Sequence, residues 1–281
     1  MKHAFLILAH NNFHVLQALV GALDDVRNDI YLHIDKKAVG FIAPSVHSSN
    51  LYIIDNPCDV RWGDLEQVKA EYLLLEKAHS VARYDYYHII SGTHYPLVSL
   101  DNLFSYFDSV APKSVLSPLP WRESEINDKI CRYHLCHYHS QSTNLIWGKL
   151  CGFLWRAALK LQGHARLRNK SLFSGKYSNW VSINAKDIDL ILSYKGEMLK
   201  SFRFTLCADE LFIPVIFGEN KVDFESNTKL LFQKFKAASP VFLQQQDYSE
   251  IITSECLFAR KFDDSQLSLI NQIGCQWKIN R

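Results

Sequence analysis

HAFLILAHNNFHVLQALVGALDD, residues 3–25, decides the fold. Its first eight residues, His3 to His10, form an unbroken apolar run of strand length. A run without alternation marks a strand covered on both faces. Two asparagines follow, and then Val15, Leu16, Leu19, Val20 and Leu23 recur at helical spacing. The same alternation continues through "DIYLHID" (29–35), "NLYIID" (50–55), the amphipathic helix "GDLEQVKAEYLLLEKAHS" (63–80), "YDYYHIIS" (84–91) and "LDNLFSYF" (100–107). Past residue 175, "NWVSI" (179–183) reads as a strand and "AKDIDLILSY" (185–194) as a helix. Strand–helix alternation over this length predicts an α/β fold with a Rossmann-like, mostly parallel central sheet flanked by helices, as one domain over 1–281. Ligands of such sheets bind beyond the carboxyl ends of the strands. That places interest on "AHNN" (9–12), "HIDKK" (33–37), "DNPCDVRWGD" (55–64) and "SGTHYPL" (91–97).

The totals exclude several classes. With 31 Lys+Arg against 29 Asp+Glu, a formal net charge of +2 provides no global field for nucleic acid. No zinc-finger, RNP-like or helix-turn-helix pattern occurs, and neither GxGxxG nor GxxxxGK[ST] is present. Seven cysteines without a CxxC pair read as thiols in a reducing cytoplasm. The N-terminal run reads as a strand rather than a signal peptide, and no stretch approaches the ~20 apolar residues of a membrane span.

Four constellations carry candidate chemistry. Asp209-Glu210 interrupts the apolar run "FTLCADELFIPVIF". One reading is a helix start, with Asp209 capping and Glu210 favoured by the dipole. The other is a carboxylate tuned by burial to act as a general base. His134, Cys136, His137 and His139 in "HLCHYH" have no zinc spacing and read as aromatic packing. Asp187-Ile188-Asp189 spells the DxD of metal-dependent sugar-nucleotide enzymes, but it falls in the first turn of a helix, where acids suit the dipole. Finally, "LFARKFDD" (257–264) sets Arg260 and Lys261 between aromatic neighbours. With Phe258 and Phe262 inside, a cation would be held at the edge of the packing, poised for phosphate oxygens. In the middle of the chain, "LIWGKLCGFLWRAALKLQGHARLRNK" (145–170) joins an apolar helix to Lys149, Arg156, Lys160, Arg166, Arg168 and Lys170, with Trp147, Phe153 and Trp155 on its apolar side. It reads either as a segment lying on an anionic membrane or as a core helix with a solvated basic face.

Taken in order, "LILAHNN" (6–12), "DIYLHIDKK" (29–37), "VRWGDLEQVKAEYLLL" (60–75), "YYHIISGTHYPL" (86–97), "SNWVSIN" (178–184), "ADELF" (208–212) and "LFARKFD" (257–263) resemble the core-2/I-branching β-1,6-N-acetylglucosaminyltransferase family, which includes the peptide O-xylosyltransferases. The resemblance implies a GT-A-like fold, a UDP-sugar donor and inverting transfer with no metal and no cofactor. Residues 1–110 would form the nucleotide-binding half and 111–281 the acceptor and catalytic half. It implies Glu210 as the base that deprotonates the acceptor hydroxyl. Lys261 would bind the donor diphosphate, with His10, Asp35, Arg61 and Trp62 near the nucleotide. On the acceptor side it points to Lys129 and Arg132 of "KICRY", with Glu123 and Trp121 beside them, and to His94 and Trp180.

The sequence departs from the family pattern at two places. His94 stands where an acid is common in "SGxDYPL". The second diphosphate cation is missing, since Ala238 falls nearest its position, which leaves Lys234, Lys236 and Arg260 as candidates. The implied enzyme is bacterial-type, cytoplasmic or peripheral at the inner face of the membrane. It would transfer N-acetylglucosamine to a glycan or lipid-linked glycan in surface polysaccharide synthesis. The alternatives are a UDP-xylose-dependent xylosyltransferase, a metal-dependent enzyme using Asp187 and Asp189, and a non-catalytic sugar- or nucleotide-binding module.

Overall fold

The computed structural model describes residues 1–169, 175–236 and 239–279. In the first half, β1 (His3–Ala9), β2 (Asn28–Ile34), β3 (Asn50–Ile53) and β4 (Tyr86–Ser91) are joined through α1 (Phe13–Leu23) and α2 (Leu65–Val81). β5 (Tyr95–Pro96), α3 (Leu100–Val110) and β6 (Val115–Leu116) follow. A helical middle comprises α4 (Glu123–Cys131), α5 (His137–Ser140) and α6 (Leu145–Gln162). β7 (Val181–Asn184), α7 (Ala185–Ser193), α8 (Lys195–Ser201), a 3₁₀ turn over Ala208–Glu210 and α9 (Phe212–Glu219) come next. The last part holds β8 (Glu225–Ser226), β9 (Leu231–Phe232), β10 (Phe235–Lys236), β11 (Ser239–Pro240), α10 (Tyr248–Thr253), β12 (Phe258–Ala259) and α11 (Leu267–Ile279).

The central sheet has the order β3-β2-β1-β4-β7-β6-β8. β3, β2, β1 and β4 run parallel, and Phe5 lies between Ile30 and His88. β7 is antiparallel to both β4 and β6. Every residue of β1, β2 and β4 is buried, which is why their sequences show no alternation. α1 buries Val15, Leu16, Leu19, Val20 and Leu23, the five positions its periodicity marks. The chain reverses its direction of travel across the sheet between β1 and β4, the switch point beyond whose strand ends sheets of this kind form their ligand crevice. At that point Asp35 N–H donates to the Ala9 carbonyl at 2.8 Å and Gly92 N–H to the Leu8 carbonyl at 2.8 Å. Gly92 fits because a Cβ there would lie 2.8 Å from the Ala9 Cβ.

A second, smaller core fastens the C-terminal segment over this crevice. Phe262, Leu243, Ile251, Leu269, Ile270 and Ile273 pack with Val15 of α1 and Tyr95 of β5. β12 pairs with both β5 and β9. Phe258 and Phe262 are buried as their sequence implied, each contributing about 2 kcal/mol by leaving water. Phe262 N–H donates to the Thr93 carbonyl at 3.1 Å and Val15 N–H to Asp264 Oδ1 at 3.0 Å, so residues 260–264 lie across the ends of β1 and β4. Among the described residues, no helix is long and apolar enough to cross a membrane.

Candidate active site

Glu210 closes the 3₁₀ turn and stands next to two ammonium groups. Lys129 Nζ of α4 lies 3.0 Å and Lys176 Nζ 3.5 Å from the same oxygen, Oε2. Both lysines also hold Glu125, at 3.2 and 3.0 Å. Four charges from three separate segments thus form one alternating cluster. Burial alone would lower the Lys129 pKa, but the field of Glu210 and its neighbours more than offsets this and leaves it above the ordinary range. The cap reading of Asp209 does not hold: α9 begins after Leu211, and no side chain caps it. Asp209 is instead half-buried, and desolvation, then Glu210, push its carboxyl up to about 7. Behind it, Glu71 of α2 is completely buried and Oε2 has no hydrogen-bond partner among the described residues. Burial and the Asp209 charge raise its pKa well above the usual value. Glu210 therefore sits in front of two carboxyl groups that favour the neutral form.

The cations of the 257–264 segment sit in a different environment. Lys261 Nζ lies 4.4 Å from the Phe242 ring centre, and burial, then Arg260, pull its pKa below normal. Arg260 lies over Trp180, 4.9 Å from the ring centre, and burial pushes its pKa down to about 10. Neither has an ion-pair partner among the described residues. His94 is buried edge-on to Trp180 at 5.1 Å. The Ser91 backbone N–H, 3.1 Å from His94 Nδ1, can only donate, so the His94 proton belongs on Nε2. Arg260 Nε, Trp180 Nε1 and His94 Nε2 are all shut off from solvent without a partner. This small region is a set of buried donors without an acceptor, an arrangement native proteins keep rare.

Lys234 pairs with Asp247 at 2.8 Å and with Glu250. Lys236 is exposed on β10, and Ala238 lies outside the described residues. Of the three replacements for the second cation, Arg260 is the one beside Lys261.

His10 follows β1, exposed at the surface, and lies in the fields of Asp35, Lys261 and Lys37; desolvation pulls its pKa down. Asp35 holds the Lys37 and Val60 backbone N–H groups at 2.8 and 3.0 Å. Arg61 stacks on Tyr138 at 3.9 Å and donates to its carbonyl at 3.0 Å. Trp62 is exposed, its backbone bridged in both directions to the Gln141 amide at 3.1 and 2.7 Å. Gly63 joins this loop to the Glu210 turn. Its carbonyl accepts from Cys207 N–H at 2.9 Å, its φ is +73°, and a Cβ there would meet Leu206 Cδ1 at 2.9 Å. Both the backbone angle and the space require glycine.

An open cleft of about 700 Å³ lies beside the Glu210 cluster, lined by Trp121, Glu125, Lys129, Arg132, Trp155 and Leu159 among others. Arg132 is tied to Asp128 at 3.3 Å and to the Gly163 carbonyl at 2.9 Å. Glu123 lies at the surface, paired with Arg166 at 2.8 Å. His94 and Trp180 are not on this wall; they lie buried beneath Arg260. The histidine cluster packs as aromatic surface, with His137 edge-on to Trp155 at 4.6 Å. The two acids of the DxD point apart. Asp187 is buried and accepts from Ser114 Oγ at 2.6 Å, whereas Asp189 is exposed with His79 at 3.1 Å and Arg83 at 3.3 Å. No group of three His, Cys, Asp or Glu side chains among the described residues could hold a metal ion.

A family model described as Core-2/I-Branching enzyme matches residues 3–235. The chain belongs to this family. It is a glycosyltransferase with a mixed α/β architecture. Among solved structures it is similar to mouse xyloside xylosyltransferase 1 in its apo form, at 12% identity, with 92% of this chain and 96% of that chain covered and a TM-score of 0.40. No curated protein matches.

In this branching-family glycosyltransferase the crevice joins His10, Asp35 and Lys261, while Lys129 reaches Glu210 from the cleft side. Lys176 and the Glu71–Asp209 layer were missed from the sequence. The one available signal for Lys176 was its place two residues before the "SNW" stretch. Glu71 stood in plain view as a charge on the apolar side of α2, buried between Ala70 and Tyr72.

Proposed function

We propose that this enzyme is an inverting, metal-independent transferase. It moves a sugar, N-acetylglucosamine before xylose, from a UDP-sugar to a hydroxyl of a glycan acceptor in surface polysaccharide synthesis. The observation that carries this is the division of labour around the crevice. One ionised carboxylate is oriented by lysines at the cleft, and two cations without carboxylate partners lie over the strand ends.

The mechanism follows from that division. Lys129 and Lys176 both approach Glu210 Oε2, which fixes the carboxylate plane and leaves Oε1 to take the proton. As the acceptor O–H proton passes to Oε1, the oxygen bonds to the anomeric carbon. The bond from that carbon to the diphosphate oxygen breaks, and its electron pair leaves with UDP. One displacement inverts the anomeric centre. Lys261 and Arg260 stabilise the charge growing on the diphosphate. Arg260 is suited to this because its charge is held in a dry place with no protein counter-ion. Trp121 and Trp155 give the cleft two rings for stacking sugars.

The test is turnover of a panel of UDP-sugars with oligosaccharide acceptors in excess EDTA. Undiminished transfer in EDTA supports the reading. Activity that vanishes in EDTA and returns with manganese contradicts it. The binding-module alternative fails as soon as any donor turns over.

A further inference from the structure

α6 has two faces of different character. Its inner face, through Gly148, Cys151 and Gly152, packs tightly: a Cβ at Gly148 would come 3.2 Å from the Ser140 carbonyl oxygen. Trp155 and Leu159, on the same side, line the cleft. The outer face carries Ile146, Trp147, Leu150, Phe153, Leu154 and Leu161, all exposed, with Ile146 at 83%, Phe153 at 62% and Leu161 at 90%. At about 100° per residue these six span an arc of roughly 120°. Lys149, Arg156 and Lys160 form a row along one margin of that arc. The helix contains no acid, and none of the three cations takes part in an ion pair among the described residues. The helix is about 27 Å long.

We infer that α6 lies in the surface of an anionic lipid bilayer, with its apolar arc in the headgroup–acyl boundary and its cationic row on the lipid charge. The charge decides the occupant. An apolar face covered by a second copy or a protein groove has no need of a cationic margin free of acids, whereas this combination is that of an interfacial helix. Because Trp155 and Leu159 wall the cleft from the other side, the bilayer would lie within about one helix diameter, ~10 Å, of it. This deepens, and rests on, the glycosyltransferase reading, since the acceptor class becomes a glycan carried on a lipid.

The experiment is flotation of the full chain with phosphatidylcholine vesicles, with and without phosphatidylglycerol, and needs no sugar donor. The expected result is recovery with the anionic vesicles well above that with the neutral ones, falling as salt is added. The double variant Leu150→Glu/Phe153→Glu should lose binding. The triple variant Lys149→Gln/Arg156→Gln/Lys160→Gln should bind anionic vesicles roughly a hundredfold more weakly. All five positions are exposed, so both variants should keep the wild-type melting temperature. No flotation, or equal recovery with both vesicle types, overturns the inference. So does a dimer in analytical ultracentrifugation that Phe153→Glu dissolves. A Glu210→Gln protein that floats but transfers no sugar, or a wild type that transfers to soluble oligosaccharides but does not float, separates this proposal from that of catalysis.

Discussion

Replacing Arg260 with methionine should move stability and donor affinity in opposite directions. The guanidinium is packed over Trp180 with Nε shut off and unpartnered, and burial pulls its pKa down to about 10. The depression means that at neutral pH the folded protein carries a charge it disfavours by about 3 kcal/mol. Losing the contact with the indole ring returns about 1 kcal/mol of that. Methionine fills similar space without charge, so the variant without ligand should gain roughly 1–2 kcal/mol and melt a few degrees higher. The same change removes a charge-assisted hydrogen bond to the diphosphate. At about 1.5–3 kcal/mol, its loss should weaken UDP binding about 10- to 150-fold. Thermal melts without UDP and calorimetric titration with UDP measure the two effects on one sample. A lower melting temperature with unchanged UDP affinity would make Arg260 a structural cation clamped by Trp180 and remove it from the donor site.

Lys176→Met should lower kcat about tenfold or more while UDP affinity holds, because one of the two groups that orient Glu210 is lost; steady-state kinetics with UDP calorimetry decides. Asp209, neutral in the fold up to about pH 7 and ionised when unfolded from the ordinary carboxylate range, stabilises the protein at low pH and loses that contribution as pH rises through about 7. Urea midpoints of wild type should therefore fall across this window, and those of Asp209→Asn should fall less. Asp189→Asn, at an exposed pair with His79 and Arg83, should leave transfer rates within about twofold of wild type. A loss of more than tenfold, restored by excess metal, would bring the acidic motif back into the reaction.

Much of the fold was legible because burial on both faces writes itself into β1, β2 and β4 as unbroken apolar runs. α1 was readable down to its five buried positions. The direction of β7 was not, since "VSI" reads the same in an antiparallel strand. The middle of the chain misled in one respect. Phe153 and Trp155 were grouped on one side, yet two residues on a helix lie about 200° apart. Trp155 accordingly faces the cleft while Phe153 faces out. In the site, motif residues such as Glu210 and Lys261 stood out because charges among apolar neighbours are conspicuous. Lys176 did not, because its role exists only once α4, the turn at 208–210 and the segment before β7 meet. The resemblance put His94 on the acceptor side, but its ring packs against Trp180 and its Nδ1 accepts from Ser91 N–H.

The most direct test of the central claim is Glu210→Gln, measured for both UDP binding and sugar transfer. Glutamine keeps the shape and can still be held near Lys129 and Lys176, but it cannot accept the proton. UDP affinity should stay within about twofold, and kcat should fall by about 10²–10⁴. Transfer at near wild-type rate would show that another group removes the acceptor proton. Loss of UDP binding would show that Glu210 belongs to the donor site instead.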